Sequence, residues 1–292
     1  MALSVVITGA SGFLGQALLD TVTTKWPTAK VYPLHSPRAG GIDLAHPDAP
    51  DQLAATIHLS DPGETILIHA AAKIAWDSPD GLLDNAAMAI HVAAWAQTAR
   101  IGFCVLVSTV SVYAPLTATD VQTPCKPTTM YGLGKWAAEE VWRLRVPEKR
   151  SAIVRLAGLW GWQRMSTLFW NRLLLAAGQG SAAAERSVVY RSRSVRNYIS
   201  VHEASDCLLQ VGTNRMSGLF LGAGRDPVTT GSFVQALQAL SDSRLCVDWA
   251  DDGGTDERLY HPSPELLPCL APFPEVLSRV WSKQPDWVLQ RS

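Results

Sequence analysis

The stretch "VVITGASGFLGQALLD", residues 5–20, decides how this chain folds. An apolar run ends at Thr8, glycines follow at Gly9, Gly12 and Gly15, and a second apolar stretch then begins at helical spacing. Strand, glycine turn and helix in this order are typical of a site for dinucleotide phosphates, because glycines let the backbone approach the anion and the helix N-terminus offers free N–H groups. Similar turns also occur without a ligand, so further residues must decide.

The first half of the chain alternates between strand and helix patterns. Apolar runs predict strands at 3–8, 30–36, 64–72 and 102–113 and at the start of 151–161, and helical spacing predicts helices at 13–25, 84–100 and 131–145. Several of these strands are apolar throughout, which is typical of a parallel sheet covered on both faces. We therefore expect an α/β fold with a Rossmann-type, doubly wound parallel sheet.

The alternation becomes irregular after about residue 160. Residues 162–190 look mostly helical, 197–211 look like a strand followed by a helix, and 218–224 look like a further strand. We predict a dinucleotide-binding domain over residues 1–160, to which residues 195–225 return. Residues 161–194 and 226–292 are expected to form a smaller, partly interleaved substrate cap.

Composition excludes several classes of function. The 292 residues carry a formal net charge of −1 without a long run of like charge, so neither nucleic acid nor a membrane surface is expected as a partner. The five cysteines are scattered and form no CxxC motif, which argues against a disulfide framework or a metal site and favours a reducing compartment. Neither a signal peptide nor a membrane span is expected, and we predict a cytoplasmic protein.

The end of the second strand bears on the choice of cofactor. No carboxylate occurs between Asp20 and Asp43, whereas an acid at this strand end holds the ribose 2′-hydroxyl of NAD. Ser36 and Arg38 offer a hydroxyl and a guanidinium instead, which suit a 2′-phosphate. We expect NADP, with NAD as the alternative, while a merely solvated Arg38 remains a competing interpretation.

A tyrosine and a lysine in "YGLGK" point to proton transfer. Tyr131 and Lys135 are four residues apart, so a helix places them on one face. An ammonium group nearby is expected to lower the pKa of the phenol from about 10, so that the pair can move a proton while a hydride moves. Hydroxyls at Ser108, Thr109 and Ser111 end a buried strand, where they point to the ligand crevice. An exposed tyrosine beside a solvated lysine is the competing interpretation.

Several motifs together resemble a known family. TGASGFLG, HAAA at 69–72, Asn85, STVSVY, YGLGK and VRNYISV are similar to the extended short-chain dehydrogenase/reductase family, in the NAD-dependent epimerase/dehydratase group that includes UDP-galactose 4-epimerase. The resemblance covers roughly residues 3–225 and adds no assignment for the C-terminal part.

The resemblance implies roles for particular residues. It implies that the cofactor is bound by Gly9, Ser11, Gly12, Phe13, Leu14, Gly15, Asp43, Leu44, Ala70, Ala71, Ala72, Lys73 and Asn85, together with Tyr131 and Lys135, in addition to Ser36 and Arg38 at the end of the second strand. It makes Thr109, Tyr131 and Lys135 the catalytic set, with Thr109 preferred over Ser108. Thr109 and Arg196 would bind the substrate, Arg196 through a diphosphate. The family also implies a homodimer that pairs through the 84–100 and 131–145 helices, although an alanine-rich helix could equally be buried within one monomer.

Two departures limit what the resemblance implies. Val110 and Ser111 follow Thr109 where the sugar 4,6-dehydratases have Asp-Glu, so a dehydratase is disfavoured. Gly158 stands three residues after Arg155, where many nucleotide-sugar enzymes have asparagine. We expect an NAD(P)-dependent oxidoreductase or epimerase acting on a hydroxyl or keto carbon of a nucleotide sugar. The alternatives are a dehydrogenase or reductase of a non-sugar small molecule, which Gly158 and the tryptophan-rich 160–170 region favour, and a non-catalytic NADP-binding sensor.

Overall fold

A computed structural model describes residues 3–163, 168–179, 187–190, 192–241, 245, 247–250 and 256–289. The chain divides into two compact units. The first unit consists of Met1–Ala114, Val121–Leu156 and His202–Gly222, and the second consists of Pro115–Asp120, Ala157–Val201 and Ala223–Ser292. In the ranges described, no helix is both long and apolar enough to cross a membrane.

The strands and helices are numbered in chain order. The strands are β1 (Ser4–Thr8), β2 (Lys30–Leu34), β3 (Thr65–His69), β4 (Phe103–Thr109), β5 (Ala118–Thr119), β6 (Ser151–Leu156), β7 (Leu159–Trp160), β8 (Ser187–Tyr190), β9 (Val195–Arg196), β10 (Ile199–Ser200), β11 (Gly218–Gly222), β12 (Val228–Thr229), β13 (Val247–Ala250) and β14 (Glu257–Tyr260). The helices are α1 (Phe13–Lys25), α2 (Ala49–Thr56), α3 (Pro79–Thr98), α4 (Met130–Arg145), α5 (Phe169–Gln179), α6 (Val201–Thr213), α7 (Thr230–Leu240), α8 (Phe273–Ser282) and α9 (Asp286–Leu289).

The first unit is built on a six-stranded parallel sheet. Its strand order is β11-β6-β4-β3-β1-β2, and every pair of neighbours is parallel. Every residue of β1 and of β3 is buried, as uninterrupted apolar runs require. The strand order reverses between β1 and β3, and a ligand crevice is expected at the carboxyl ends of the strands there. The sheet confirms the predicted Rossmann-type, doubly wound α/β fold.

Helix α3 of the first unit differs in its bounds from the sequence prediction. Helix α3 begins five residues earlier than predicted, because the Ser78 hydroxyl accepts the Asp80 N–H and caps its first turn. Helices α3 and α4 cross closely where Gly134 meets Gly81, since a Cβ on Gly134 would lie 2.4 Å from the Gly81 carbonyl oxygen. The core that they cover includes Leu67, Val92, Leu106, Trp142 and Ile153.

The second unit contains short strands and an aromatic core. Strands β12, β9, β14 and β5 form one sheet, β10 pairs with β7, and β13 pairs with β8. Trp160, Trp170 and Phe233 are buried together with aliphatic residues of α5, α7 and α8, and Trp162 packs against them. The tryptophan-rich region therefore supplies core packing in this unit.

Two features of the second unit were not predicted. Residues 162–190 contain helix α5 and then strand β8, where the sequence suggested mostly helix, while 164–167 and 180–186 lie outside the described residues. Residues 115–120 group with the second unit because β5 pairs with β14, although the sequence placed them in the dinucleotide-binding domain. Segments 157–160, 195–201 and 223–225 also group with the second unit.

Candidate active site

The glycine turn lies at the carboxyl end of β1 and leaves no room for side chains. Gly9 has a φ of +69°, and a Cβ there would lie 2.7 Å from backbone atoms of Ala71. A Cβ on Gly15 would lie 2.1 Å from the Gly9 carbonyl oxygen. Gly12 donates its N–H to the Gly9 carbonyl at 2.9 Å and precedes the first residue of α1, Phe13. The bare backbone and the free N–H groups at the start of α1 fit a dinucleotide pyrophosphate.

The end of β2 contacts this turn. The Ser11 hydroxyl donates to the Ser36 hydroxyl at 3.3 Å and accepts the Ser36 N–H at the same distance. Arg38 follows on the exposed turn Pro37–Ala39, where its guanidinium is accessible. The turn therefore brings Ser11, Ser36 and Arg38 to one edge of the sheet, and no carboxylate follows β2 before Asp43.

The other cofactor candidates occupy different environments. Leu14 is buried in the first turn of α1. Asp43 is exposed and accepts the Ala45 N–H, while Leu44 is buried and its carbonyl contacts the His91 ring nitrogen at 2.9 Å. Ala70–Ala72 follow β3 directly and pass over Gly9. These three alanines thus lie beside the glycine turn at the point where the strand order reverses.

A buried hydroxyl–imidazole pair supports this crossing. The Thr8 hydroxyl lies 2.7 Å from Nδ1 of His69 and accepts the Ala71 N–H at 3.1 Å. The His69 ring stacks on Trp142 with centroids 5.7 Å apart. Burial, with a smaller effect of the Lys135 charge, lowers the pKa of His69 to about 3, so the ring is neutral at pH 7.

Lys73 and Asn85 are occupied by neighbours within the first unit. The Lys73 ammonium binds the Asp84 carboxylate at 2.6 Å, and this hydrogen bond raises the lysine's pKa. Asn85 is buried and donates to the carbonyls of Lys73 and Gly81, and it accepts the Lys73 N–H. Asn85 therefore holds the segment that follows the alanines in place, and its side-chain amide is directed to backbone atoms of that segment.

Helix α4 brings Tyr131 to Thr109. The Thr129 hydroxyl caps the helix by accepting the Gly132 N–H at 3.0 Å. Gly132 lets this first turn rest on the end of β4, since a Cβ there would lie 2.2 Å from the Ser111 carbonyl oxygen. The Tyr131 hydroxyl is hydrogen-bonded to the Thr109 side chain. The glycine in the second position of "YGLGK" is thus a packing requirement of the site.

The ionisation of the pair differs from the sequence expectation. Burial raises the pKa of Tyr131 to about 12, and only the hydrogen bond to Thr109 opposes this effect. The lowering by the Lys135 charge that the sequence predicted is not among the effects on this pKa, and desolvation of the phenolate dominates. Lys135 is 3% exposed, and burial lowers its pKa to about 8 against the opposing charge of Glu139.

A buried ion-pair network lies one turn beyond Lys135. Glu139 is fully buried and receives hydrogen bonds from Ser108 at 2.5 Å and from Arg155 at 2.9 and 2.6 Å. Arg155 also donates to the Tyr113 hydroxyl at 2.8 Å. The Ser108 hydroxyl is therefore committed to Glu139. Sequence reasoning missed Glu139, although its position four residues after Lys135 placed it on the same helix face.

Arg196 lies in the second unit and is already paired. Its guanidinium donates to the Asp256 carboxylate, to the Asp256 carbonyl at 2.6 Å and to the Val195 carbonyl at 2.8 Å. Arg258 binds the same carboxylate at 3.2 Å. Two guanidinium groups thus share one carboxylate, so a diphosphate at Arg196 would compete with Asp256.

Gly158, in the same unit, packs against an aromatic ring. A Cβ at Gly158 would lie 2.8 Å from the ring of Tyr198, which itself contacts Trp170 with centroids 4.6 Å apart. The Tyr198 ring therefore fills the space that a side chain at position 158 would need.

Comparison with known proteins supports the fold. A dTDP-4-dehydrorhamnose reductase from Bacillus anthracis in complex with NADP is 18% identical with a TM-score of 0.76, over 97% of this chain and 100% of that one. A UDP-N-acetylglucosamine 4-epimerase from Bacillus cereus is 20% identical with a TM-score of 0.74, over 90% and 91%. A UDP-glucose 4-epimerase from Thermus thermophilus in complex with NAD is 14% identical with a TM-score of 0.75, over 96% and 98%.

No protein of curated function matches the sequence significantly. The model of the NAD dependent epimerase/dehydratase family matches residues 5–219, which include the glycine turn, Thr109, Tyr131 and Lys135. This match spans most of the chain and agrees with the motifs that carried the resemblance. The chain belongs to the NAD dependent epimerase/dehydratase family.

Proposed function

We propose that this protein is an NADP-dependent oxidoreductase that acts on a keto or hydroxyl carbon of a nucleotide-activated sugar. The observation that carries the proposal is the hydrogen bond between Tyr131 and Thr109, one helical turn from buried Lys135. The glycine turn supports a dinucleotide as cofactor, and Ser36 with Arg38 favours NADP over NAD. The similar structures of a reductase and of epimerases that are named for nucleotide sugars support the substrate class.

The protonated state of Tyr131 suits a role as the acid in the reduction of a keto group. The nicotinamide cofactor supplies the hydride when it is bound. A phenol with a pKa of about 12 keeps its proton at neutral pH and can donate it to the oxygen of a keto carbon. Thr109 can hold the same oxygen, because its side chain reaches the Tyr131 hydroxyl. Lys135, with a pKa of about 8, remains mostly charged at pH 7, and we expect its ammonium to bind the ribose of the cofactor.

The test of this proposal is the variant Tyr131→Phe. We expect it to bind NADP as the wild type does and to lose about 10²–10⁴-fold in turnover, because a positioned acid is removed. The measurement is NADPH oxidation with keto-sugar nucleotides, together with NADP titration of the folded variant. Turnover close to that of the wild type would reject the catalytic assignment and would favour the NADP-binding sensor.

Arg196 is proposed to bind the diphosphate of the substrate. The diphosphate would displace the Asp256 carboxylate that pairs with this guanidinium. We expect Arg196→Ala to weaken UDP binding and to leave NADP affinity unchanged, as measured by calorimetry. Failure of UDP and of GDP to bind the wild type at millimolar concentration would contradict the nucleotide-sugar class.

Gly158 supports a second candidate, a reductase of a non-sugar small molecule. The Tyr198 ring fills the space next to Gly158, so the asparagine found there in many nucleotide-sugar enzymes could not be accommodated. Activity with a panel of small ketones, in the absence of UDP binding, would favour this candidate.

We also propose a homodimer that pairs through α3 and α4, which sedimentation analysis tests.

A further inference from the structure

Trp76 lies against the proposed catalytic tyrosine. The ring centroids of Trp76 and Tyr131 are 5.0 Å apart with an interplanar angle of 69°, which is an edge-to-face contact. The indole therefore lies beside the side chain that is proposed to transfer the proton. The hydroxyl of that side chain, Tyr131, is hydrogen-bonded to Thr109. Nevertheless 48% of Trp76 is exposed. A large apolar surface is thus available next to the reacting atoms.

The segment that carries Trp76 is held in place on both sides. Its carbonyl accepts the N–H of Met130, the residue before Tyr131, at 2.9 Å. Its neighbour Ala75 packs against the start of α3, where a Cβ on Gly81 would lie 2.1 Å from the Ala75 carbonyl oxygen. The backbone of Trp76 is therefore fixed relative to Tyr131, and the indole is pre-oriented.

Two other apolar residues near Trp76 in the chain or next to Tyr131 are also exposed. Ile74, two residues earlier, is 65% exposed, and Met130 is 39% exposed. Ligand sites typically combine apolar and aromatic walls with a few convergent polar groups, here the hydroxyls of Thr109 and Tyr131. Exposed apolar side chains next to convergent polar groups are typical of ligand sites.

We propose that Trp76 is a specificity-determining residue whose exposed indole packs against the apolar face of the ring that carries the reacting carbon. For a nucleotide sugar this is the C–H face of the sugar, because the reacting carbon must reach Tyr131. The assignment rests on the proposed function. Covering about 100 Å² of indole corresponds to roughly 10- to 50-fold in affinity, at about 25 cal/mol per Å² and with incomplete contact.

The experiment compares a nucleotide sugar with its own nucleotide. Binding is measured by calorimetry with NADP present in the Tyr131→Phe background, which keeps an aromatic ring against Trp76 and prevents turnover. The probes are UDP and whichever of UDP-glucose, UDP-N-acetylglucosamine and UDP-glucuronic acid binds most tightly. We expect Trp76→Ala to weaken binding of the UDP-sugar roughly 10- to 50-fold and binding of UDP less than about threefold. Trp76→Phe should keep most of the affinity.

Trp26 provides a matched control. It is a partly exposed tryptophan at the far end of α1, about 20 Å along that helix from the glycine turn, and Trp26→Ala should change neither affinity. Equal weakening of UDP and UDP-sugar, or no weakening of either, would overturn the assignment of Trp76. If Trp76→Ala leaves the affinity for the UDP-sugar unchanged but alters the sedimentation of the protein, the indole belongs to a contact between protein chains. That result would also overturn the assignment of Trp76. If no UDP-sugar binds the wild type at millimolar concentration, the proposed substrate class fails, and this assignment fails with it.

Discussion

The substitution Glu139→Gln tests whether the buried network of Glu139 on helix α4 with Arg155 stabilises the fold. Glu139 is fully buried, Arg155 is 3% exposed, and two of their hydrogen bonds are 2.9 and 2.6 Å long. The glutamine keeps the shape of the side chain but leaves the guanidinium without a counter-charge. Removing one partner of a buried ion pair costs about 3–5 kcal/mol, because the remaining charge stays desolvated.

This loss is large compared with the stability of most proteins. Against a typical free energy of unfolding of about 5–15 kcal/mol, it removes about a fifth or more. We expect Tm to fall by roughly 10 °C, since about 1 kcal/mol moves Tm by some 2–4 °C in a domain of this size. Differential scanning calorimetry and urea unfolding measure the change, and the m-value reports whether the unfolded state has changed as well.

The same helix offers a matched control. Glu140 is exposed and pairs with Arg143, so Glu140→Gln should change the free energy of unfolding by no more than about 0.5 kcal/mol. The double variant Glu139→Leu with Arg155→Met removes both charges and should recover part of the loss. A cost below about 1 kcal/mol for Glu139→Gln, or a cost equal to that of the control, would refute the reasoning.

Four further predictions concern the glycine turn, Arg38 and the buried titratable groups. Gly15→Ala should weaken NADP binding at least about tenfold in a calorimetric titration, because its Cβ would lie 2.1 Å from a backbone oxygen. The control Gly63→Ala should have no effect, since its Cβ would meet no atom closer than 3.6 Å. Arg38→Ala should reduce the preference for NADP over NAD by about 10–100-fold, and equal affinities of the wild type for both would contradict the argument. The rate of reduction should fall above about pH 8, because Lys135, whose pKa is lowered to about 8, loses its charge there. Lys135→Arg should remove this decrease, since a guanidinium stays protonated. A decrease that persists in the variant belongs to another group. The pKa of His69 in the folded state is lowered to about 3, so the unfolded chain binds a proton at a higher pH than the folded chain does. The free energy of unfolding therefore decreases as the pH falls from about 6.5 towards 3. His69→Gln should reduce this pH dependence by up to about 5 kcal/mol, as measured by urea unfolding at a series of pH values.

The parallel sheet could be predicted from the sequence because most of its strands are mainly apolar runs that alternate with helices of clear periodicity. Strands such as β5 and β8, of two and four residues, carry too little pattern to be recognised. Their partners, β14 and β13, lie far along the chain, so pairing could not be inferred from local signals.

Residue types at the candidate site could be predicted better than their environments. Successive strand residues point to opposite faces, so of Ser108 and Thr109 only one can face the crevice, and spacing alone does not say which. The structure directs Ser108 to Glu139 and Thr109 to Tyr131. The pKa of Tyr131 was expected to fall because the nearby charge is visible in the sequence, whereas the burial that raises it is a property of the packed structure.

The pairing of β5 with β14 has a consequence for co-translational folding. Strand β5 leaves the ribosome long before its partner, because about 140 residues separate the two. At about 5–20 residues per second, this edge waits on the order of 10–30 s for its partner strand. During that interval the backbone of β5 lacks its partner strand, and an unpaired strand edge of this kind is a place where a chaperone can bind a nascent chain.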